Sequence, residues 1–450
     1  MLKKILLYAG LILLLGFGVL FFINYPKLEM VSSYAAKKVC SCTFIADRKI
    51  ESILNEDLVR SPLNLAKTTI DYKSKRVASS VFGMHPKTAE FRHGLGCVLI
   101  HGVDDFNINL KSPTKARTDL KEVNFPFGHK IVDTQMDNVD YNLLNKNADA
   151  CFDDDFKMLS KKTRALLILH KDTVLYEKYA EGYNENTEML GWSMTKSILN
   201  AWVGMMIMDG KISLKDNNLF DEWNDERKEI SLNNLMQMSS GLEWSEIYDE
   251  VSSATKMLFT AEDIVQSAKQ SKLEYPPNTF WEYSSGSSNL IAGYLRDQFS
   301  DHDDYLKYPK ERIFKPLGMD SMIMEIDEAG NFIGSSYSYA TARDWAKFGT
   351  LYLRDGVWNN QRLLPDGWID YTKAPAPASN GNYGAQFWLN VDGAIFKNAP
   401  YDTYSLNGYL GQRVYIVPSK DLVIVRMGLR SIDFGKMILD ICTAIDYEKK

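Results

Sequence analysis

The sequence contains no long block of like charge, no low-complexity tract and no internal repeat of solenoid or propeller period. It has no basic surplus either: 52 Lys and Arg stand against 58 Asp and Glu, a formal net charge of −6 with the signs mixed. Nothing therefore points to nucleic acid, which calls for a basic face. Histidine is scarce, six in 450 residues, and the last is His302. A Ser-His-Asp hydrolase of the α/β order needs a late histidine, and no Gly-x-Ser-x-Gly turn occurs. No His-x-x-x-His or comparable cluster suits metal-dependent hydrolysis, so His85 and His93 read as structural or surface residues. A Gly-rich phosphate loop between a strand and a helix is also missing, and no cofactor is implied. Cysteine is limited to Cys40, Cys42, Cys97, Cys151 and Cys442. Cys40 and Cys42 lack the second Cys or His pair of a zinc site. The expectation is one or two structural bridges, with at least one thiol left over by the odd count. Cys442 lies in an apolar helical stretch suited to burial.

What is present is an ordinary globular composition, 45% hydrophobic and 24% charged, with an unusual beginning. Lys3 and Lys4 precede an uncharged run from Ile5 to Ile23, broken only by Tyr8 and three glycines. At helical rise those 19 residues cover about 28 Å, against a hydrocarbon core of roughly 30 Å. A cleaved signal has an apolar region of only about 7–15 residues with a small-residue site close behind. Here Asn24-Tyr25-Pro26-Lys27 follows, and no cysteine follows closely enough for lipid attachment. Residues 1–25 are therefore expected to be an uncleaved transmembrane anchor, with a cleaved signal as the alternative. With Lys3 and Lys4 held inside, the rest of the chain is expected to be membrane-anchored and extracytoplasmic, periplasmic or at the cell surface.

Residues 26–150 mix short apolar runs with turn residues and read as an accessory region. From 151 to 450 the pattern sharpens. Ala165-Leu166-Leu167-Ile168-Leu169-His170 is a buried-strand run, Lys171-Asp172 a short turn, and Val174–Tyr179 the hairpin partner. A helix opening at Ser193 is apolar nearly all round through Met208 and stops at Gly210, which places it at a domain centre. Further helices are expected after Ser231, from about Ser288 to Gln298, and after Thr341, where Asp344 stands as in a capping box. Arg413–Val417 and Leu422–Arg426 flank a turn at Pro418-Ser419-Lys420-Asp421, and a helix from about Asp433 to Tyr447 follows. Strands at both ends with helices between them predict an α+β fold, an antiparallel sheet packed on a helical region.

A serine hydroxyl is a weak nucleophile and needs a base nearby. Ser-x-x-Lys at a helix start sets the two side chains one turn apart on one face. Burial and the positive helix N-terminus both disfavour the ammonium, inclining the lysine towards an amine that takes or relays a proton. The pattern occurs three times: Ser112 to Lys115, Ser193 to Lys196, and Ser253 to Lys256. Ser112 is followed by the polar run Ala116-Arg117-Thr118-Asp119, so Lys115 reads as a solvated charge. Ser253 precedes Met257-Leu258-Phe259-Thr260, an ordinary loop-to-helix junction. Only Ser193 heads a fully apolar helix after a strand pair, and this context selects Ser193 and Lys196. Two later segments add to them. Phe280-Trp281-Glu282-Tyr283-Ser284-Ser285-Gly286 is turn-rich and directly precedes a helix, so Tyr283 is either a second proton carrier or a rim aromatic. Ser405–Gln412 leads into the last hairpin, where glycines either admit a substrate backbone or form a bulge.

In this order Ser193-Met194-Thr195-Lys196, Tyr283-Ser284-Ser285 and the Gly-rich edge resemble the serine β-lactamase and penicillin-binding-protein superfamily. The resemblance is greatest to the class C β-lactamase-like branch, which includes carboxylesterases and 6-aminohexanoate-dimer hydrolases. Ser239-Ser240-Gly241-Leu242, Thr341-Ala342-Arg343-Asp344 and Gly411-Gln412 agree with it, over roughly residues 150 to 445. It implies that Ser193 attacks a carbonyl and forms an acyl-enzyme, with Lys196 and Tyr283 sharing the base and acid roles. It also implies an oxyanion hole from the Ser193 N–H and one N–H near Gly408 or Tyr409. Such donors are typically worth about 3–4 kcal/mol each. Ser285, Asn407, Gly408 and Tyr409 would bind substrate.

Two departures bear on that substrate. Ser285 replaces the Asn of Tyr-x-Asn, and Leu406-Asn407-Gly408 replaces Lys-Thr-Gly or His-Thr-Gly, leaving no cation there for a carboxylate. Both argue against a dedicated β-lactamase or transpeptidase and for a small-molecule ester or amide. The rival is a non-catalytic or slowly acylated penicillin-binding or sensor-type protein on the same fold. The joint presence of Ser193, Tyr283 and the Gly-rich edge favours an enzyme. Trp192, Trp281, Trp388 and Tyr409 are candidates to line an apolar acyl pocket, and Trp192 suits the core equally well.

Overall fold

Residues 2–102, 118–152 and 161–446 are described in the computed structural model, and the first of them form one long helix, α1 (Leu2–Phe44). Ser112 and Lys115 lie outside the described residues. The rear of α1 is built into the protein. Ala35, Ala36, Val39 and Cys40 are completely buried, and α2 (Ile50–Glu56) follows. They pack against an antiparallel sheet of β1 (Ala66–Asp71), β2 (Arg76–Val81), β3 (Met84–Arg92) and β4 (Gly96–Ile100), paired in sequential order. Cys40 on α1 is bridged to Cys97 on β4, 57 residues on, with Cα atoms 6.1 Å apart. Closing a loop of that length is worth about 4 kcal/mol in the chain-entropy view. Cys42, Cys151 and Cys442 are buried free thiols.

The expected transmembrane anchor is not upheld: no helix among the described residues is long and apolar enough to cross a membrane. Membrane anchoring, both as a partner and as the expected location, falls with it. The apolar run from Ile5 to Ile23 is not part of a separate segment of residues 1–25. It is the front of α1, which passes through Pro26 and continues into the core. The continuation carries charges that the protein itself neutralises. Lys37 Nζ lies 2.8 Å from a carboxylate oxygen of Glu325 and donates to the Cys97 carbonyl at 2.5 Å. Lys38 pairs with Asp57 at 3.1 Å. Arg48 (2.6 Å) and Arg164 (2.8 Å) converge on the same carboxylate and tie α1 and α2 to the main sheet. Burial raises the Asp57 pKa, but these three cations outweigh it and hold the carboxyl far below its ordinary range.

Beyond this region α3 (Tyr141–Asp149) leads to the hairpin of β5 (Thr163–His170) and β6 (Thr173–Tyr179). Lys171 and Asp172 turn it at φ of 47° and 60°, a two-residue turn whose twist suits the flanking strands. The helical layer follows: α4 (Thr195–Met208), α5 (Leu232–Met236), α6 (Ser253–Thr260), α7 (Ile264–Lys269), α8 (Ser285–Asp297) and α9 (Ala342–Leu353). The chain then returns to the sheet as β7 (Trp388–Leu389), β8 (Tyr404–Gly408), β9 (Gln412–Val417) and β10 (Leu422–Gly428), and closes with α10 (Phe434–Ile445). The sheet order is β7-β8-β9-β10-β5-β6, antiparallel throughout, with Ile424 opposite Ile168 where the two ends meet.

β5 is buried along its whole length because both faces of the sheet are covered. Ala165, Leu167 and Leu169, with Val414, Val423 and Val425, face the helical layer. Leu166 and Ile168, with Tyr415 and Ile424, face α3 and α10. That alternation is the period of two intrinsic to a strand. Full burial of such side chains is worth about 1.5–3 kcal/mol each. The fold is the expected mixed one, with residues 139–152 part of the second layer, against α10.

The Lys37–Glu325 pair gives a direct test of how α1 is attached. Lys37→Met should cost about 3–5 kcal/mol in chemical unfolding, because it strands a buried carboxylate. Adding Glu325→Gln should recover much of the loss. Equal losses in the single and double variants would assign the effect to packing instead.

Candidate active site

The short strand Met189–Leu190 pairs with Ser338–Ala340 and ends at Gly191, whose N–H donates to the Ser338 carbonyl at 2.7 Å. Trp192 then adopts φ +51°, rare for a bulky residue, and the chain turns through Trp192–Met194 into α4. Such a conformation costs of order 1–3 kcal/mol and persists only where the surroundings fix it. Here the Trp192 carbonyl accepts from Thr195 Oγ1 at 2.7 Å. The ring is packed by Tyr34 of α1, Tyr337 and Tyr409. The turn delivers Ser193 to the base of a cleft.

One helical turn on, Lys196 is almost wholly buried. Its Nζ lies 3.2 Å from Ser193 Oγ, 3.0 Å from Ser285 Oγ and 3.0 Å from the Ser335 carbonyl oxygen. Ser335 is itself fixed by Asn289 of α8, which bonds both its N–H and its hydroxyl at 3.1 Å. Burial pushes the Lys196 amine down to about 8, against the opposing pull of the Glu246 charge. Ser285 opens α8 and is completely buried behind Lys196. Its N–H donates to Glu246 Oε2 at 2.9 Å, and its hydroxyl donates to Glu246 Oε1. Trp244 Nε1 (2.5 Å) and the Tyr248 hydroxyl (2.6 Å) donate to the same carboxylate.

Tyr283 is carried by the loop before α8, which is pinned to the segment after α5. The Glu282 N–H reaches the Met238 carbonyl at 3.1 Å and the Asn278 N–H the Ser239 carbonyl at 2.9 Å. The Tyr283 ring packs against Trp388 (5.1 Å) and Tyr383 (5.8 Å), and Lys196 Nζ stands 4.8 Å from its centroid. Burial, with the Glu246 charge, pushes the phenol above its ordinary range, and the Ser193 hydroxyl acts the other way.

The opposite wall is the end of β8. A Cβ on Gly408 would stand 2.1 Å from the Gly191 carbonyl oxygen, so only glycine lets this edge approach the Ser193 turn. Between the walls lies a cavity of about 560 Å³, reached by Ser193, Tyr283, Trp388, Asn407, Gly408 and Tyr409. Tyr248, Phe396, Phe434, Lys397, Arg413 and Asp433 also line it. Among the described residues no group of three or more His, Cys, Asp or Glu is arranged to hold a metal ion.

The family model for β-lactamase matches residues 150–430. The chain belongs to the β-lactamase family. The hydrolases of that family place it, in general terms, among serine hydrolases. No curated protein matches it. Solved structures share the fold at low identity. A protein carrying the name 6-aminohexanoate-dimer hydrolase, from Bacillus anthracis, is 23% identical with a TM-score of 0.54, over 62% of this chain and 79% of its own. A penicillin-binding-protein homolog from Caulobacter crescentus is 12% identical with a TM-score of 0.54, over 70% and 100%. EstCE1, described as a hydrolase with promiscuous acyltransferase activity, is 14% identical with a TM-score of 0.52, over 68% and 98%.

In this β-lactamase-family chain, Ser193, Lys196 and Ser285 form one hydrogen-bonded group, while Tyr283, Asn407, Gly408 and Tyr409 surround the adjoining cavity. Ser285 does not reach the cavity. Trp388 and Tyr409 line it, Trp192 is buried beneath Ser193, and Trp281 packs behind Trp388 with centroids 6.1 Å apart. Lys256 of the third Ser-x-x-Lys is exposed on α6. Glu246, Tyr248 and Ser335 escaped the sequence reading. The signal for the first two stood just past Ser239-Ser240-Gly241-Leu242, in Trp244-Ser245-Glu246-Ile247-Tyr248, where a carboxylate sits between two aromatics in an acidic stretch.

Gly408→Ala should separate β8 from the Ser193 turn and slow acylation of Ser193 by about 10²-fold, the usual cost of an ångström-scale misplacement. Its melting curve should remain cooperative. An alanine variant that acylates at the wild-type rate would show that the close approach has no part in the reaction.

Proposed function

We propose that the protein cleaves a small-molecule ester or amide through an acyl-enzyme on Ser193, with Lys196 and Tyr283 moving the protons. The observation that carries this reading is the buried Lys196 amine 3.2 Å from Ser193 Oγ, held near a pKa of 8. In its neutral form the amine accepts the hydroxyl proton as Oγ bonds to the substrate carbonyl carbon and that carbonyl becomes an oxyanion. The Ser193 N–H and an N–H at Gly408 or Tyr409 would hold the oxyanion, as the family likeness implies. Collapse then expels the alcohol or amine, which takes a proton relayed through Tyr283. Water returns the acid product by the reverse proton path. The aromatic lining at Trp388, Phe396 and Phe434 supports an apolar acyl group. The missing cation in Leu406-Asn407-Gly408 supports esterase or amidase chemistry over transpeptidation.

Fluorophosphonate labelling followed by mass spectrometry should give one adduct, on Ser193. Ser193→Ala should abolish it, and Lys196→Ala should slow it by about 10²–10⁴-fold. Tyr283→Phe should reduce turnover of p-nitrophenyl esters. A folded protein without an adduct on Ser193 would leave the binding or sensor-type reading in its place.

The labelling rate should also follow the free amine. Below the Lys196 pKa the neutral fraction rises about tenfold per pH unit, so the rate should climb with pH and level off above about 8. A rate independent of pH between 6 and 9 would remove Lys196 from the role of base.

A further inference from the structure

We propose that Glu246 is a positioning residue for this reaction, fixing the direction of the Ser285 hydroxyl so that the lone pair of the Lys196 amine faces Ser193. The proposal rests on the reading of Ser193 as nucleophile and Lys196 as base, and it follows from counting donors and acceptors. Glu246 receives four hydrogen bonds: the Ser285 hydroxyl and the Tyr248 hydroxyl on Oε1, the Ser285 N–H and Trp244 Nε1 on Oε2. These fill the four acceptor positions of an ionised carboxylate. The Ser285 hydroxyl proton is thereby spent on Glu246, and towards Lys196 its oxygen can only accept. The Ser335 carbonyl also only accepts. A neutral amine has two N–H bonds and one lone pair. Both N–H bonds are taken, by Ser285 and Ser335, at 3.0 Å each. The lone pair is left for the remaining neighbour, the Ser193 hydroxyl at 3.2 Å.

Glu246→Gln keeps the shape and reverses this polarity. The Ser285 N–H and Trp244 Nε1 are obligate donors, so the amide oxygen must face them and its NH₂ must face the two hydroxyls. The Ser285 hydroxyl then accepts from the amide and turns its proton towards the Lys196 lone pair. An N–H of the amine is left pointing at Ser193, the wrong polarity for a base. The substitution also removes a charge. Glu246 is faced by Lys196, by the phenols of Tyr248, Tyr283 and Tyr383, and by the Glu282 carboxyl; Lys196 is faced by Glu246 and the Tyr283 ring. Since the Glu246 charge favours the ammonium, its loss lowers the pH at which Lys196 becomes neutral.

The test is the pH dependence of fluorophosphonate labelling in the full chain, for wild type, E246Q, S285A and the double variant. The expected result for E246Q is a plateau about tenfold or more below wild type, part of the usual general-base contribution, with the midpoint moved to lower pH. In the S285A background E246Q should shift the midpoint without lowering the plateau further, because the polarity lock is already gone. A purely structural Glu246 would lower the plateau with no midpoint shift, or by the same factor in both backgrounds, and either result overturns the proposal. If E246Q does not fold, S285A carries the test: a wild-type plateau there overturns the lock. Absence of label on wild-type Ser193 instead overturns the nucleophile assignment beneath it, which separates the two failures.

Discussion

A lysine amine kept out of water beside a serine hydroxyl is the constraint around which the rest of the site is arranged. An unsatisfied amine would be costly to bury, and an ammonium far more so. The chain meets the first cost with three oxygens, from Ser193, Ser285 and Ser335, drawn from three separate segments. It eases the second by loosening the proton: burial brings Lys196 down to about 8. The apolar character of α4 follows from the same requirement. A helix with a polar face would have to turn that face to water, and Lys196 would go with it.

The rear of α1 supports this arrangement from behind. Tyr34, on the buried rear of α1, stacks on Trp192 with centroids 6.2 Å apart, and Tyr409 meets the same ring edge-on at 5.7 Å. Trp192 is the residue at φ +51° that sets the direction of Ser193. A positive φ on a bulky side chain relaxes unless it is over-determined. Here it is held by Tyr34, Tyr337 and Tyr409 from one region each, and by its own carbonyl through Thr195. The buried pair Lys37–Glu325 and the Asp57 cluster keep α1 in register with that stack. Attachment of α1 and geometry at Ser193 are thus one mechanical problem.

Local chemistry was legible in the sequence and non-local chemistry was not. β5, β6, β9 and β10 announced themselves by apolar runs and turn residues, and the Ser193–Lys196 contact follows the one-turn spacing of Ser-x-x-Lys. Glu246 reaches Ser285 only because the loops after α5 and before α8 are pinned together, a contact that no spacing encodes. The apolar stretch up to Ile23 read as a separate span, yet α1 runs on through Pro26 into the core, a continuation that no local pattern in residues 1–25 encodes. At Thr341 the capping reading was half right. The Thr341 hydroxyl accepts from the Asp344 N–H at 3.2 Å, while the Asp344 carboxylate serves Ser321, at 2.6 Å from its hydroxyl, rather than the Thr341 N–H.

The cation missing from Leu406-Asn407-Gly408 is the remaining departure from the family pattern, and cations do reach the same cavity from elsewhere. Lys397 and Arg413 both border it. Arg413, however, is committed to the wall. One Nη1 donates to the carbonyls of Gly408 (2.6 Å) and Gln412 (2.7 Å), and the guanidinium lies 4.7 Å from the Phe434 ring. Its burial disfavours the charge and lowers its pKa, which opposes use as a free anion receptor. What it supplies is placement. The Gly408 carbonyl is drawn back towards β9, while the bare Cα of Gly408 abuts the Gly191 carbonyl in front. Held from both sides, the edge of β8 can face the Ser193 turn at fixed distance without a charged residue in the position the family usually charges. Such an edge presents shape and glycine backbone, rather than a committed charge, to the cavity, in keeping with the ester or amide proposed above.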